Sequence, residues 1–171
     1  MKLLSKIKSL RRMNCSSLIN SSKGWCRGEE SSKIVRREIN RSERTGSPLS
    51  FIFLNLSNSK NNEISKSDYH SFLKELIHII SENTRDYDVK FLRNQYRIVI
   101  LLADTASGGA KAFIDKLSKK IYDHFESLNR VEYLNIIQAL SVCTYPSGKS
   151  KDTEIFTASP IIKKYVTFKK K

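Results

Sequence analysis

Cysteine is scarce in this chain of 171 residues: only Cys15, Cys26 and Cys143, an odd number with no Cys-x-x-Cys pair. That argues against a disulfide scaffold and fits reduced thiols in a cytoplasmic protein. Long apolar runs are missing too. None approaches the roughly 20 residues needed to span a bilayer, and Met1-Lys2-Leu3-Leu4-Ser5-Lys6-Ile7-Lys8 lacks the apolar stretch of about 7–15 residues found in a secretory signal. Histidine is limited to His70, His78 and His124, with no Cys or carboxylate partner at zinc spacing, so surface positions are expected for all three. No local motif places a Ser-His-Asp or Cys-His arrangement. Ser107-Gly108-Gly109 is followed by no Gly-Lys-Ser/Thr, so it is a helix start rather than a phosphate loop. The strands also lack the Lys/Arg-Gly-Phe/Tyr pattern of an RNA-recognition motif.

Acidic residues are few beside basic ones: 17 Asp+Glu against 31 Lys+Arg, a formal charge of +14. The excess is uneven. Residues 1–44 carry 12 basic and 4 acidic side chains, residues 149–171 carry 7 and 2, and residues 45–148 carry 12 and 11. A nearly neutral body with basic ends points to an anionic membrane surface, a nucleic acid or an acidic partner met through the termini. Hydrophobic content of 39% and charged content of 28% are those of an ordinary globular domain, and the length suffices for one core.

Along the chain, Leu3, Leu4, Ile7 and Leu10 fall at helical spacing among Lys and Arg, the pattern of a basic amphipathic helix. Residues 14–32, rich in Ser, Asn and Gly, read as a linker with Trp25 as a local packing anchor. A helix is predicted from about Ser32 to Thr45, with Ile34, Val35 and Ile39 on one face. Gly46-Ser47-Pro48 ends it. Leu49–Leu56 is a continuous apolar run, the signature of a buried central strand. Residues 65–82 repeat Tyr69, Phe72, Leu73, Leu76, Ile77 and Ile80 at helical period, with Ser67 as the predicted N-cap. Asp88–Leu92 and Arg97–Leu102 form a hairpin around Asn94-Gln95. A second helix over about 108–127 carries Ala110, Phe113, Ile114, Leu117, Ile121 and Phe125. Leu134–Tyr145 is a strand, and Ile161–Phe168 a further apolar segment. The predicted class is α+β, an α/β sandwich whose ferredoxin-like βαββαβ core has two helices on one face of an antiparallel central sheet.

The central hairpin has a particular spacing. Arg85 and Asp88 form Arg-x-x-Asp; five residues later come Asn94-Gln95-Tyr96-Arg97-Ile98 and then the strand Ile100-Leu101-Leu102…Thr105. Upstream lies Arg36…Arg41…Arg44-Thr45-Gly46-Ser47-Pro48-Leu49-Ser50; downstream, Asp104-Thr105…Gly109-Ala110 and Leu140-Ser141-Val142-Cys143-Thr144-Tyr145-Pro146. Together these landmarks resemble the GGDEF (diguanylate cyclase) family over roughly residues 33–148, with the signature replaced by residues 94–98. The resemblance implies a nucleotidyl-cyclase-like fold and three parts: a basic N-terminal segment and linker (1–31), a degenerate GGDEF-like domain (32–148) and a basic C-terminal tail (149–171).

Cyclase chemistry needs carboxylates to hold divalent cations. The resemblance places the first-strand metal position on Asn55 and the signature carboxylate on Arg97, one neutral and one cationic. In place of the family's loop after the first strand, only Lys60 remains. Lost catalysis and no resident metal or cofactor are therefore expected. The surviving pair Arg85/Asp88 matches the family's cyclic di-GMP site, making that dinucleotide a candidate ligand. Hairpin and helix start also resemble GGDEF-like domains beside bacterial polysaccharide sugar transferases. The expected role is a regulatory or binding module in bacterial signalling or exopolysaccharide synthesis, cytoplasmic and peripheral to the inner membrane, with a protein partner or a second copy of itself. Two alternatives stand beside it: a ferredoxin-like nucleic-acid-binding domain using basic tails, and a residual nucleotidyl cyclase.

Overall fold

A computed structural model of the chain describes residues 24–26, 28–57, 64–94, 96–145 and 153–154. The apolar run Leu49–Leu56 (β2) forms the middle of the sheet. It pairs antiparallel with Arg97–Leu102 (β4) on one side, Ile52 opposite Ile100, and with Ile137–Tyr145 (β5) on the other, Ile52 opposite Val142. Val89–Asn94 (β3) pairs antiparallel with β4, Trp25–Cys26 (β1) runs parallel to β3, and Thr153–Glu154 (β6) borders β5. The order across the sheet is β1-β3-β4-β2-β5-β6.

Alternation along β2 decides what lies above and below the sheet. Ile52, Leu54 and Leu56 enter the larger core with Ile98, Ile100, Leu102, Leu140 and Val142. Two helices cover that face: Lys66–Asn83 (α2), through Tyr69, Phe72, Leu73, Leu76 and Ile80, and Ser107–Ser127 (α3), through Ala110, Ile114, Leu117, Ile121 and Phe125. Phe72 stacks on Phe125 with ring centroids 5.2 Å apart, and Tyr133 meets Phe72 edge-on at 6.1 Å. Leu49, Val89 and Leu101 form the smaller cluster with Ile34, Val35 and Ile39 of the remaining helix, Gly28–Thr45 (α1). The βαββαβ core and two-helix layer are those expected from the periodicity.

Gly46 ends α1 as predicted. Its φ of 69° is the left-handed conformation natural to glycine after a helix, and its N–H donates to the Ser42 carbonyl at 2.8 Å. Helix α3 uses Asn129 in the same way (φ 55°), with the Arg130 N–H closing onto the Phe125 carbonyl at 2.8 Å.

Several boundaries differ from the sequence expectation. The predicted linker 14–32 contains β1 and the first turn of α1, which starts at Gly28. Trp25 is no local anchor. It is 3% exposed within the main core and donates through Nε1 to Ser81 Oγ at 2.8 Å. Ser65, not Ser67, caps α2: its hydroxyl accepts from the Asp68 N–H at 3.1 Å and donates to the Asp68 carboxylate at 2.6 Å, a second bond that Ser67 has no carboxylate three residues on to match. The final strand starts at Ile137, because Val131–Ile136 is a 3-10 turn that buries Leu134 and Ile136 before pairing begins. Strand β3 starts at Val89 and continues to Asn94. The sheet thus extends past 32–148 at both ends. The basic amphipathic pattern of 1–12, Lys60 and the apolar segment 161–168 lie outside the described residues.

Two substitutions test this packing. Phe72→Ala is expected to lower unfolding free energy by about 3–5 kcal/mol, read as a lower denaturant midpoint at unchanged slope. Gly24 has φ 73°, and a Cβ there would lie 2.5 Å from the Asp88 carbonyl oxygen. Gly24→Ala should cost more than about 1 kcal/mol in the same measurement.

Candidate functional site

Strand pairing brings face to face the two residues that the sequence resemblance sets at the metal positions. Asn55, near the end of β2, stands directly opposite Arg97, the first residue of β4. The Arg97 Nε–H donates to Asn55 Oδ1 at 2.6 Å, and both residues are half-buried. Beyond this pair the ladder becomes irregular. The β2–β5 register shifts between Asn55 and Leu56, the β3–β4 register shifts between Leu92 and Asn94, and the Leu56 N–H reaches the Tyr96 carbonyl at 2.8 Å. Such loosened strand ends are where a sheet can present side chains to a ligand.

A guanidinium stays charged at any physiological pH. A divalent cation placed beside Arg97 would meet repulsion of about 4 kcal/mol per unit charge at about 4 Å in a partly buried setting. Asn55 offers one neutral oxygen, already engaged by Arg97. Among the described residues, no three His, Cys, Asp or Glu side chains gather as a metal site. This donor set does not fit the two-cation centre of a nucleotidyl cyclase. Of the other signature positions, Tyr96 is half-buried and meets Tyr69 edge-on at 6.3 Å, and Ile98 is fully buried in the core. Asn94 closes β3, and Gln95 lies outside the described residues.

Arg85 and Asp88 share the turn from α2 into β3 but face different ways. Arg85 is exposed, its guanidinium 5.6 Å above the ring of Tyr87, itself 59% exposed. Asp88 is 2% exposed and folds back on the turn: Oδ2 accepts from the Arg85 N–H at 2.9 Å, while the Asp88 N–H donates to the Arg85 carbonyl at 3.1 Å. Its Oδ1 is buried with no hydrogen-bond partner. Desolvation pushes the Asp88 carboxyl pKa above the ordinary aspartate range, against the lowering influence of the Arg85 and Ala103 amides and the Arg85 and Lys90 charges.

Sequence reasoning missed Lys90. It is 1% exposed, and its ammonium donates to Thr84 Oγ1 at 2.8 Å and to the Arg85 carbonyl at 3.5 Å, just past the C-terminus of α2. Helix α2 has no basic residue in its last turn, so Lys90 supplies from β3 the cation that a helix C-terminus favours. A signal was present: a lysine on the inward side of β3's alternation, after a helix with no C-terminal base. His124 differs from its expected place as a lone surface histidine, since Nε2 lies 3.1 Å from Glu75 Oε2 and ties α3 to α2.

The raised Asp88 pKa sets a pH dependence. In the window between the unfolded and folded values, the folded protein holds the proton that the unfolded chain has released. This stabilising contribution is complete below the unfolded value and is lost as pH rises through the folded one. Asp88→Asn keeps an acceptor for the Arg85 N–H and has no such titration. Wild-type stability measured against this variant by denaturation is expected to fall as pH rises from the ordinary aspartate range, then level off.

No protein-family model matches the chain, and no curated protein matches it in sequence. Solved structures do match in shape. The FimX GGDEF domain from Pseudomonas aeruginosa superposes with a TM-score of 0.59 at 12% identity, covering 85% of this chain and 93% of that one. The active GGEEF domain of a diguanylate cyclase from Vibrio cholerae gives 0.58 at 19%, covering 73% and 80%. A DGC protein from Thermotoga maritima gives 0.51 at 14%, covering 70% and 80%. At these identities the likeness is one of architecture, and the architecture of this chain is that of a GGDEF domain.

Proposed function

We propose that the chain is a GGDEF-fold module that has given up nucleotide cyclisation and acts by binding. The observation that carries this reading is the hydrogen bond from Arg97 to Asn55. The two positions that would hold cations in a cyclase satisfy each other, and one of them is itself a cation. A pocket selected for divalent metal has no use for a guanidinium in its ligand shell. Cyclic di-GMP is the small ligand that goes with this reading, met by the accessible part of the Arg85–Asp88 turn, namely the Arg85 guanidinium over Tyr87. Guanidinium and aromatic ring suit a guanine base and its phosphate, whereas the buried Asp88 carboxylate serves the turn. The wider role proposed is regulatory, through a protein partner in bacterial signalling or exopolysaccharide assembly on the cytoplasmic side of the inner membrane. No helix among the described residues is long and apolar enough to cross a membrane.

The test has two arms. Purified protein incubated with GTP and Mg²⁺ is expected to form no cyclic dinucleotide and to show no Mg²⁺-dependent thermal shift, whereas Asn55→Asp/Arg97→Glu should gain the shift by restoring two carboxylates. Magnesium-dependent turnover by the wild type would overturn the non-catalytic reading. In calorimetry, cyclic di-GMP is expected to bind, with affinity lost in Arg85→Ala. Binding indifferent to that substitution would remove the Arg85 turn from the site.

A further inference from the structure

Helix α1 places its charge in a way its composition hides. Counted whole, Gly28–Thr45 holds five basic and four acidic residues. Lys33, Arg36, Arg37, Asn40 and Arg44 recur at helical spacing on its exposed side, over about 16 Å of helix at about 1.5 Å per residue. Of the acids on this helix, Glu30 is exposed three residues before Lys33, and Glu38 and Glu43 are engaged by neighbouring groups. Glu38, with a side chain only 12% exposed, bridges Arg37 at 3.3 Å and Arg41 at 3.6 Å. Glu43 accepts from the Tyr145 hydroxyl at 2.5 Å, across on β5, a bond that raises the tyrosine pKa. Arg41 reaches Asp104 at 3.3 Å. Lys33, Arg36 and Arg44 are left without an ion pair among the described residues. The opposite side of the helix is committed to the sheet through Ile34, Val35 and Ile39, so the stripe faces outward by construction.

We infer that this stripe is a docking surface for anionic phospholipid, held flat against the headgroups by the folded domain. Two observations favour a lipid plane over a nucleic acid. The stripe carries no exposed aromatic that could stack on a base, since the large exposed hydrophobics among the described residues are Tyr87 and Leu128, on other elements. The 23 residues just before the described part hold six Lys or Arg and no Asp or Glu, with Leu3, Leu4, Ile7 and Leu10 at helical spacing. Apolar side chains of that pattern gain by entering a bilayer, and a duplex offers them nothing. The inference does not rest on the non-catalytic reading: Arg97 and Asn55 bond to each other and supply nothing to the stripe's charge, and a cyclase with the same helix would dock equally.

The experiment is co-sedimentation of the full chain with vesicles of phosphatidylcholine alone and of phosphatidylcholine mixed with phosphatidylglycerol. Wild type is expected on the mixed vesicles only, and less so as salt rises. Each basic residue near an anionic surface contributes about fivefold to partitioning, so Lys33→Glu/Arg36→Glu/Arg44→Glu should weaken it by about a hundredfold or more. Lys116→Glu/Lys120→Glu, exposed on α3 across the sheet, should leave it unchanged. If the charge-reversed variant unfolds at a lower denaturant midpoint, the Gln triple at the same positions reads the same loss without repulsion. Mixed-vesicle binding equal to wild type in a folded triple variant would overturn the inference, since the terminal segments would then carry all of it. So would the absence of binding to mixed vesicles, or tighter binding to a DNA duplex at equal ionic strength that the triple variant loses.

Discussion

The register of β2 between β4 and β5 is the constraint on which the rest depends. Side chains on a strand alternate faces, so a slip of one residue would send Ile52, Leu54 and Leu56 to the α1 side and bring Phe51, Phe53 and Asn55 under α2 and α3. The core could not absorb that exchange, because Ile52 and Leu54 are fully buried among side chains already in contact. The same register that fills the core therefore fixes Asn55 opposite Arg97. The Asn55–Arg97 pair and the packed core are consequences of one alignment: which groups meet at the strand end can change without disturbing what lies beneath it.

A second knot of interactions organises the end of α2. The Thr84 hydroxyl donates to the Ile80 carbonyl and accepts from the Lys90 ammonium, which lies beneath Gly24, while the Asp88 carboxylate accepts from the Arg85 amide. The ammonium donates to the Thr84 hydroxyl and the Arg85 carbonyl just past the helix, and one oxygen of the carboxylate holds the amide of the turn. What in sequence resembles a ligand-binding pair is divided by the fold. One member is invested in the backbone and the other stays in solvent. Charged residues within one short motif need not share a task.

How much of this was legible in the sequence follows the range of the interactions. The strand over 49–56, the period of α2, and the stop at Gly46 and Pro48 come from neighbours within a turn or two of chain, and they stand as read. The opposition of Asn55 and Arg97 was implied by counting positions against a known pattern, but their hydrogen bond required the sheet. Strand β1 was invisible: two residues have no period, and their partner, β3, lies beyond two helices and a strand. The burial of Asp88 was hidden too, since it depends on a turn that folds the carboxylate back onto the Arg85 amide. The cap of α2 was misplaced by two residues because Ser65 and Ser67 compete there, and only the hydrogen bonds between Ser65 and Asp68 decide between them.

Strand β1 has a consequence for the molecule's sociability. An outermost strand offers a row of unpaired amides and carbonyls to any extended chain that drifts by. In this sheet Trp25 and Cys26 occupy part of that row along β3, and the indole, locked onto Ser81, keeps them there. Two residues that look like linker are thus a hem on the sheet. A chain begun after them would leave β3 open along its whole length and unplug the core where Trp25 enters it. Self-association would then follow from a cut that spares every residue of the βαββαβ core.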